Sequence, residues 1–287
     1  MAALKRTERK LYPCIRMPAL MTGLFIFSLA SPAHAESARA PVGITTTLSA
    51  SSTLHAPESA DRASESSLAL VPSYAIAESY DLSAQIIFSR QLENEMKSSV
   101  SDAVVGISRS NLPVNQFLRL SPRLAATIAV NEYSRERDSL RFALHFKPTF
   151  KFDLSRLGRV DWGGMNRVIF NHQFSVTRNF HSFKTSRTGS SNIAYSTSYA
   201  GTLGYRFPQR VTLAGSFTRA IGWSYEGHPK HNFELAQELS YSLSEHVELA
   251  LGHSNAGAAF KENGRDSNIA FHDVSDSTVF GSVTLSY

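Results

Sequence analysis

The sequence predicts an all-β fold: a transmembrane antiparallel up-and-down β-barrel of about ten strands, with twelve possible. Three observations carry this: a signal-like N-terminus, apolar–polar alternation from Tyr80 to Tyr287, and connections that alternate between tight and long. The chain divides accordingly into an export signal (1–35), an Ala/Ser/Thr-rich flexible segment (36–79) and the barrel (80–287).

The first segment has a charged start, an apolar run from Leu20 to Ala30 and then Ala33-His34-Ala35, the order of a secretory signal with an A-x-A cleavage site. It holds five of the 29 basic residues and one of the 24 acidic ones, so the chain after it carries 24 basic and 23 acidic residues. The basic pI therefore comes mostly from the signal, and no nucleic-acid partner is expected. The single cysteine, Cys14, precedes the apolar run, so neither disulfides nor thiolate metal ligands are expected in the mature chain. Residues 36–79 contain few large side chains and show no sustained periodicity, the pattern of a mobile linker.

After Tyr80 the period is two. In HNFELAQELSYSLS, Phe233, Leu235, Leu239, Tyr241 and Leu243 share one face, with Glu234, Ala236, Glu238, Ser240 and Ser242 on the other. Strands are expected at 80–90, 102–109, 117–131, 139–153, 166–179, 193–207, 210–221, 231–243, 246–254 and 277–287. An eleventh and twelfth would come from Asn268–Phe271 or from 42–48. Most of these segments reach the nine to eleven residues that a tilted strand needs to cross a bilayer, beyond the five or six common in soluble sheets. Pro122 and Pro148 lie at outward positions of neighbouring strands, where a bulge is expected.

With the apolar face toward lipid, the inward residues follow. Arg119, Arg123, Arg141, His145, Lys147 and Lys151 give a basic wall, Glu234, Glu238 and Glu248 an acidic one, and Arg206 lies on a strand between them. Such walls either set up a transverse field in a narrow pore or pair across a closed lumen. Phe150, Phe152, Tyr205, Phe207, Tyr241 and Tyr287 fall at strand ends on one rim, where amphipathic rings prefer the lipid interface.

The signal, the alternating strands and a final strand DSTVFGSVTLSY that ends on an aromatic residue resemble those of Gram-negative outer-membrane β-barrels. That resemblance concerns architecture and names no substrate. It implies an outer-membrane location, a lipid environment and insertion by the barrel-assembly machinery. The expected function is a narrow pore or transporter of small solutes, or a structural membrane protein. Enzymatic alternatives are an acyl hydrolase and an omptin-like protease, and a soluble secreted β-sandwich is a further one. For the hydrolase, His253-Ser254 places base and hydroxyl on opposite faces, and His172 and Ser175 are likewise mismatched. Asp266, His272, Asp273 and Asp276 read as a solvated loop without metal-ligand spacing. No catalytic residue, metal or cofactor is assigned.

Overall fold

The computed structural model describes residues 42–55, 59, 62–93, 96–154, 167–274 and 276–287. The proposed signal, 1–35, lies outside the described residues. Strand follows strand along the chain: β1 (Val42–Thr53), β2 (Ser64–Ala77), β3 (Tyr80–Gln91), β4 (Ser98–Val100), β5 (Ala103–Arg109), β6 (Leu112–Pro113), β7 (Leu118–Ile128), β8 (Leu140–Phe152), β9 (Val168–His181), β10 (Ile193–Arg206), β11 (Val211–Ser224), β12 (Pro229–Ser242), β13 (Val247–Ala258) and β14 (Ser277–Ser286). Twelve of these form one antiparallel barrel, closed where β1 pairs with β14 and β2 with β3. The short β4 and β6 add to the edges of β3 and β7.

The count is thus twelve, the upper of the two expected, and 42–48, named as a possible extra strand, lies within β1. The two additional strands, β1 and β2, occupy most of the segment expected to be flexible. Asn268–Phe271 lies in a loop. The linker reading fails because these strands line their inner face with hydroxyls where the reading looked for large apolar side chains. Thr47 Oγ1 lies 3.1 Å from Thr284 Oγ1, and Ser49 Oγ 2.7 Å from Ser67 Oγ. Each such bond contributes about 1 kcal/mol net. Alternation survives on the outer face, where Ile44 and Leu48 are exposed while Thr47 and Ser49 are buried.

Pro122 and Pro148 oppose each other directly, and the register runs unbroken from Ser121↔Thr149 to Arg123↔Lys147, so the expected bulge is absent. Two residues without N–H groups can only face each other as a non-hydrogen-bonded pair, which costs this ladder no bond.

Shear fixes the size of the barrel. A row of paired residues runs from Gln91 through Glu65, Ser51, Phe280, Gly252, Glu238, Ala214 and Gly204 to Ile169. Carried on at the offsets of the remaining pairs, it returns to the line of β3 at the level of position 75, sixteen residues below 91. Twelve strands with that shear tilt by roughly 40–45° and stand about 12 Å from the axis. After side chains of about 5 Å on each wall, roughly a dozen ångströms of width is left, between a filled eight-stranded barrel and an open porin.

Candidate functional site

Register and parity place nine of the ten predicted lumen residues on the inward face, and Arg141 falls at a register shift between Leu140 and Phe142. In β7 and β8 the outward set includes Leu124, Phe142, Leu144 and Phe146, all exposed, while Ala125 and Ala143 between them are buried. Arg119, Arg123, His145, Lys147 and Lys151 share the parity of the buried positions. In β12, Leu239 and Tyr241 are exposed and Ser240 is buried, so Glu234 and Glu238 point inward with Ser240. Glu248 opposes Ser242 on β13, and Arg206 ends the inward row of Ala200 and Thr202 on β10.

Basic residues meet in pairs across the β7–β8 ladder: Arg119 faces Lys151 and Arg123 faces Lys147. Like charges placed directly opposite repel, so these pairs do not stabilise the sheet. Arg123 donates from Nη2 to Ser83 Oγ at 3.3 Å. Room for it comes from Gly106 across the ladder, where a Cβ would lie 2.8 Å from that of Ala125 and 3.0 Å from Arg123 Nε. His145 bridges three strands, with Nε2 2.6 Å from Thr127 Oγ1 and Nδ1 2.9 Å from Thr177 Oγ1. Higher up, Arg141 donates from Nε to Ser182 Oγ at 2.5 Å.

The two walls meet at one height. Lys151 pairs through Asn171, Thr202 and Ser216 with Ala236, four strands away. A sixteen-residue shear spread over twelve strands raises that row by about 1.3 residues per strand on the way from β8 to β12, or about five residues in all. Lys147 lies four residues above Lys151, and Glu238 two below Ala236, so Lys147 and Glu238 come level to within about one residue. Arg123, beside Lys147, shares that level. In the order of the closed sheet, β7 and β13 are six strands apart of twelve, and β8 and β12 four. Arg123 and Lys147 thus oppose Glu238 across the middle of the lumen. Arg119, Arg123, Lys151, Glu234 and Glu238 make no ion pair among the described residues.

Sequence reasoning places Phe280 inward or near the outer rim and misses its pairing with Gly252. Phe280 is inward and buried, directly opposite Gly252, the residue that also faces Glu238. The ring lies where a side chain on position 252 would stand, and a Cβ there would also come within 2.6 Å of Gln237 O. A glycine at an inward position of an otherwise regular strand was the available signal.

The six predicted rim aromatics collect at the end where β1 begins and β14 terminates. Phe207, Tyr241 and Tyr287 are exposed, Tyr205 packs against Phe207 and Phe152 against Phe170, and Tyr287 stacks on His246 at 8° between planes. Phe150 meets Phe174 edge-on.

The residues weighed for enzymatic chemistry do not converge. His253 shares the outward face with Leu251, its Nε2 3.4 Å from His272 Nδ1, while Ser254 faces inward. His172 Nδ1 meets Tyr199 Oη at 2.5 Å, and Ser175 is buried on the opposite face. Asp266 accepts from Asn263 within its own loop. Among the described residues no group of three metal-ligating side chains is present.

No family model matches the sequence, and no curated protein matches it. Solved structures do resemble the fold. An outer membrane channel from Pseudomonas putida F1 superposes with a TM-score of 0.59 at 11% identity, covering 90% of this chain and 99% of its own. The NanC porin gives 0.53 at 12% identity, covering 84% and 98%. The chain therefore has the fold of outer-membrane barrel channels.

Proposed function

We propose that the protein is a passive channel of the outer membrane, with a narrow aqueous lumen that admits small polar solutes past a transverse field at mid-height. The observation that carries this is the level of Arg123 and Lys147 against Glu238, with Arg119 beside Lys151 below. Arg119, Arg123 and Lys151 stand on one wall with no ion pair among the described residues; such charges are tolerated where water solvates them, and a dry, plugged barrel would need them paired. The fold, the lipid-compatible outer face and the aromatic rim support an outer-membrane location. The end with the β13–β14 connection then faces outward, and the end with the tight turns after β2, β10 and β12 faces the periplasm. The lipid bilayer and the barrel-assembly machinery are the partners this reading carries.

A solute with separated positive and negative groups would align across the field, with its anionic part along β7–β8 and its cationic part toward Glu238. The test is reconstitution of the purified chain in planar bilayers. Discrete conductance steps are the expected result. Protein that inserts yet gives no steps, and admits no small sugar in liposome swelling, would leave the structural-barrel reading in its place.

A further inference from the structure

The outer wall of a membrane barrel is ordinarily apolar, and a cation on it is unfavourable away from the interface. Arginines nevertheless stand there: Arg90 and Arg109 near strand ends, and two on strands that flank β10. Arg178 has the outward parity of Phe174 and Val176 on β9, and Arg219 that of Leu213 on β11. Arg178 is paired with Tyr195, and Arg219 with Tyr199, two tyrosines on the outward face of β10 four residues apart.

Their heights agree as well. Arg178 is level in register with Trp223 through Tyr195, and Arg219 lies four residues below Trp223. The rise across two strands offsets most of that difference, so the two stand within about 3 Å of the same height. Both lie in the half of the barrel nearer the β13–β14 connection, where exposed Lys184 adds a third cation just above β9.

The Arg178 guanidinium carbon sits 3.9 Å from the centre of the Tyr195 ring and 5.6 Å from that of Tyr225. One of its donors reaches Ala194 O at 3.4 Å. Aromatic faces thus hold the plane of the guanidinium while most of its N–H groups find no acceptor among the described residues. Arg219 is exposed, with no hydrogen bond or ion pair among the described residues. Below them the wall is apolar, with Phe174, Val176 and Leu203 exposed. Planar cations over an apolar strip match a molecule with phosphates at one end and acyl chains at the other.

We propose that Arg178 and Arg219 form a docking site for lipid A, the phosphorylated glucosamine lipid of the Gram-negative outer leaflet, its phosphates on the two guanidinium groups and its acyl chains on the strip beneath. The site rests on the outer-membrane reading of the barrel but is independent of whether the lumen conducts.

The full chain, purified in detergent and incubated with lipid A, is examined by native mass spectrometry. Wild-type protein is expected to retain lipid A, and the double variant R178Q/R219Q to retain at least tenfold less with its conductance unchanged. Millimolar inorganic phosphate leaves the lipid bound, and dephosphorylated lipid A is not retained by wild-type protein. Equal retention by a folded double variant overturns the proposal, and so does displacement by inorganic phosphate. A dimer in place of the lipid adduct would assign the face to a second copy and overturn it too. Should the double variant fail to fold, the comparison of phosphorylated with dephosphorylated lipid on the wild-type chain decides alone, equal retention again overturning it.

Discussion

Gly252 and Phe280 oppose each other on β13 and β14, and the phenyl ring occupies the space that any side chain at 252 would need. Both face the lumen beside Glu238, which Gly252 also opposes from β13. The ring is folded back against the wall only because its partner is glycine. Gly252→Ala is therefore expected to push Phe280 toward the axis and lower single-channel conductance about twofold or more, since a lumen of this size has little spare width. Adding Phe280→Ala should restore it. Unchanged conductance in Gly252→Ala would mean that the ring does not border the ion path.

The charged level predicts selectivity. Glu238→Gln removes the acid facing Arg123 and Lys147, and reversal potentials across a salt gradient should shift toward anion preference. Arg123→Gln should shift them the opposite way, and high salt should shrink both effects by screening. A Glu238→Gln channel with wild-type selectivity would place the limiting constriction elsewhere.

His145 ties β7, β8 and β9 through two hydroxyls. Its replacement by alanine leaves Thr127 and Thr177 to bond water in the lumen, so the expected loss is modest, about 1 kcal/mol. Urea unfolding in lipid vesicles measures it. A loss several times larger would indicate that water does not reach these hydroxyls.

Leu48 tests the barrel membership of the segment expected to be flexible. It is 56% exposed on the outward face of β1. Leu48→Arg should destabilise the barrel by about 2–4 kcal/mol, whereas Ser51→Arg, facing the lumen, should cost far less. Equal effects in vesicle-based unfolding would contradict the assignment of β1.

Asp276 lies in the loop before β14, where partial burial raises its carboxyl above the ordinary range and Asp273 adds to the rise. A raised carboxylate pKa means the folded loop holds its proton more tightly than the unfolded one. Its packing is therefore most stable below the ordinary aspartate range and weakens as pH rises through the folded value. Asp276→Asn should slow proteolysis of 259–276 at pH 7 and make that rate less dependent on pH. A variant cut as fast as wild type at pH 7 would remove Asp276 as the destabilising group.

Much of this architecture was legible because period two is a physical requirement of a wall with lipid on one side and water on the other. Strands such as β8 and β12 declare both faces, and the charges at 123, 147 and 238 could be assigned inward from parity alone. Of the first two strands only the stretch 42–48 in β1 was legible. Their inner faces are serine and threonine, satisfied across the ladder by partners such as Thr284, which lies 237 residues away. Height was equally hidden: that Lys147 and Glu238 are level depends on the shear, which belongs to the closed sheet and to no single strand. Phe280 and Gly252 illustrate the same limit, since their pairing is unremarked until the register sets one upon the other.

The join between β1 and β14 carries a kinetic consequence. Ile44 and Tyr287 exchange backbone hydrogen bonds at 2.9 and 3.0 Å, and nine residue pairs continue upward from there. Every other neighbouring pair in the barrel can form soon after its second strand is made, whereas this one must wait for the whole chain. Until it forms, two strands present open edges that could add to any extended segment nearby. Annealing of that last seam is the step at which the protein is most exposed to error, and its hydroxyl-rich lining makes the waiting edge soluble enough to survive the delay.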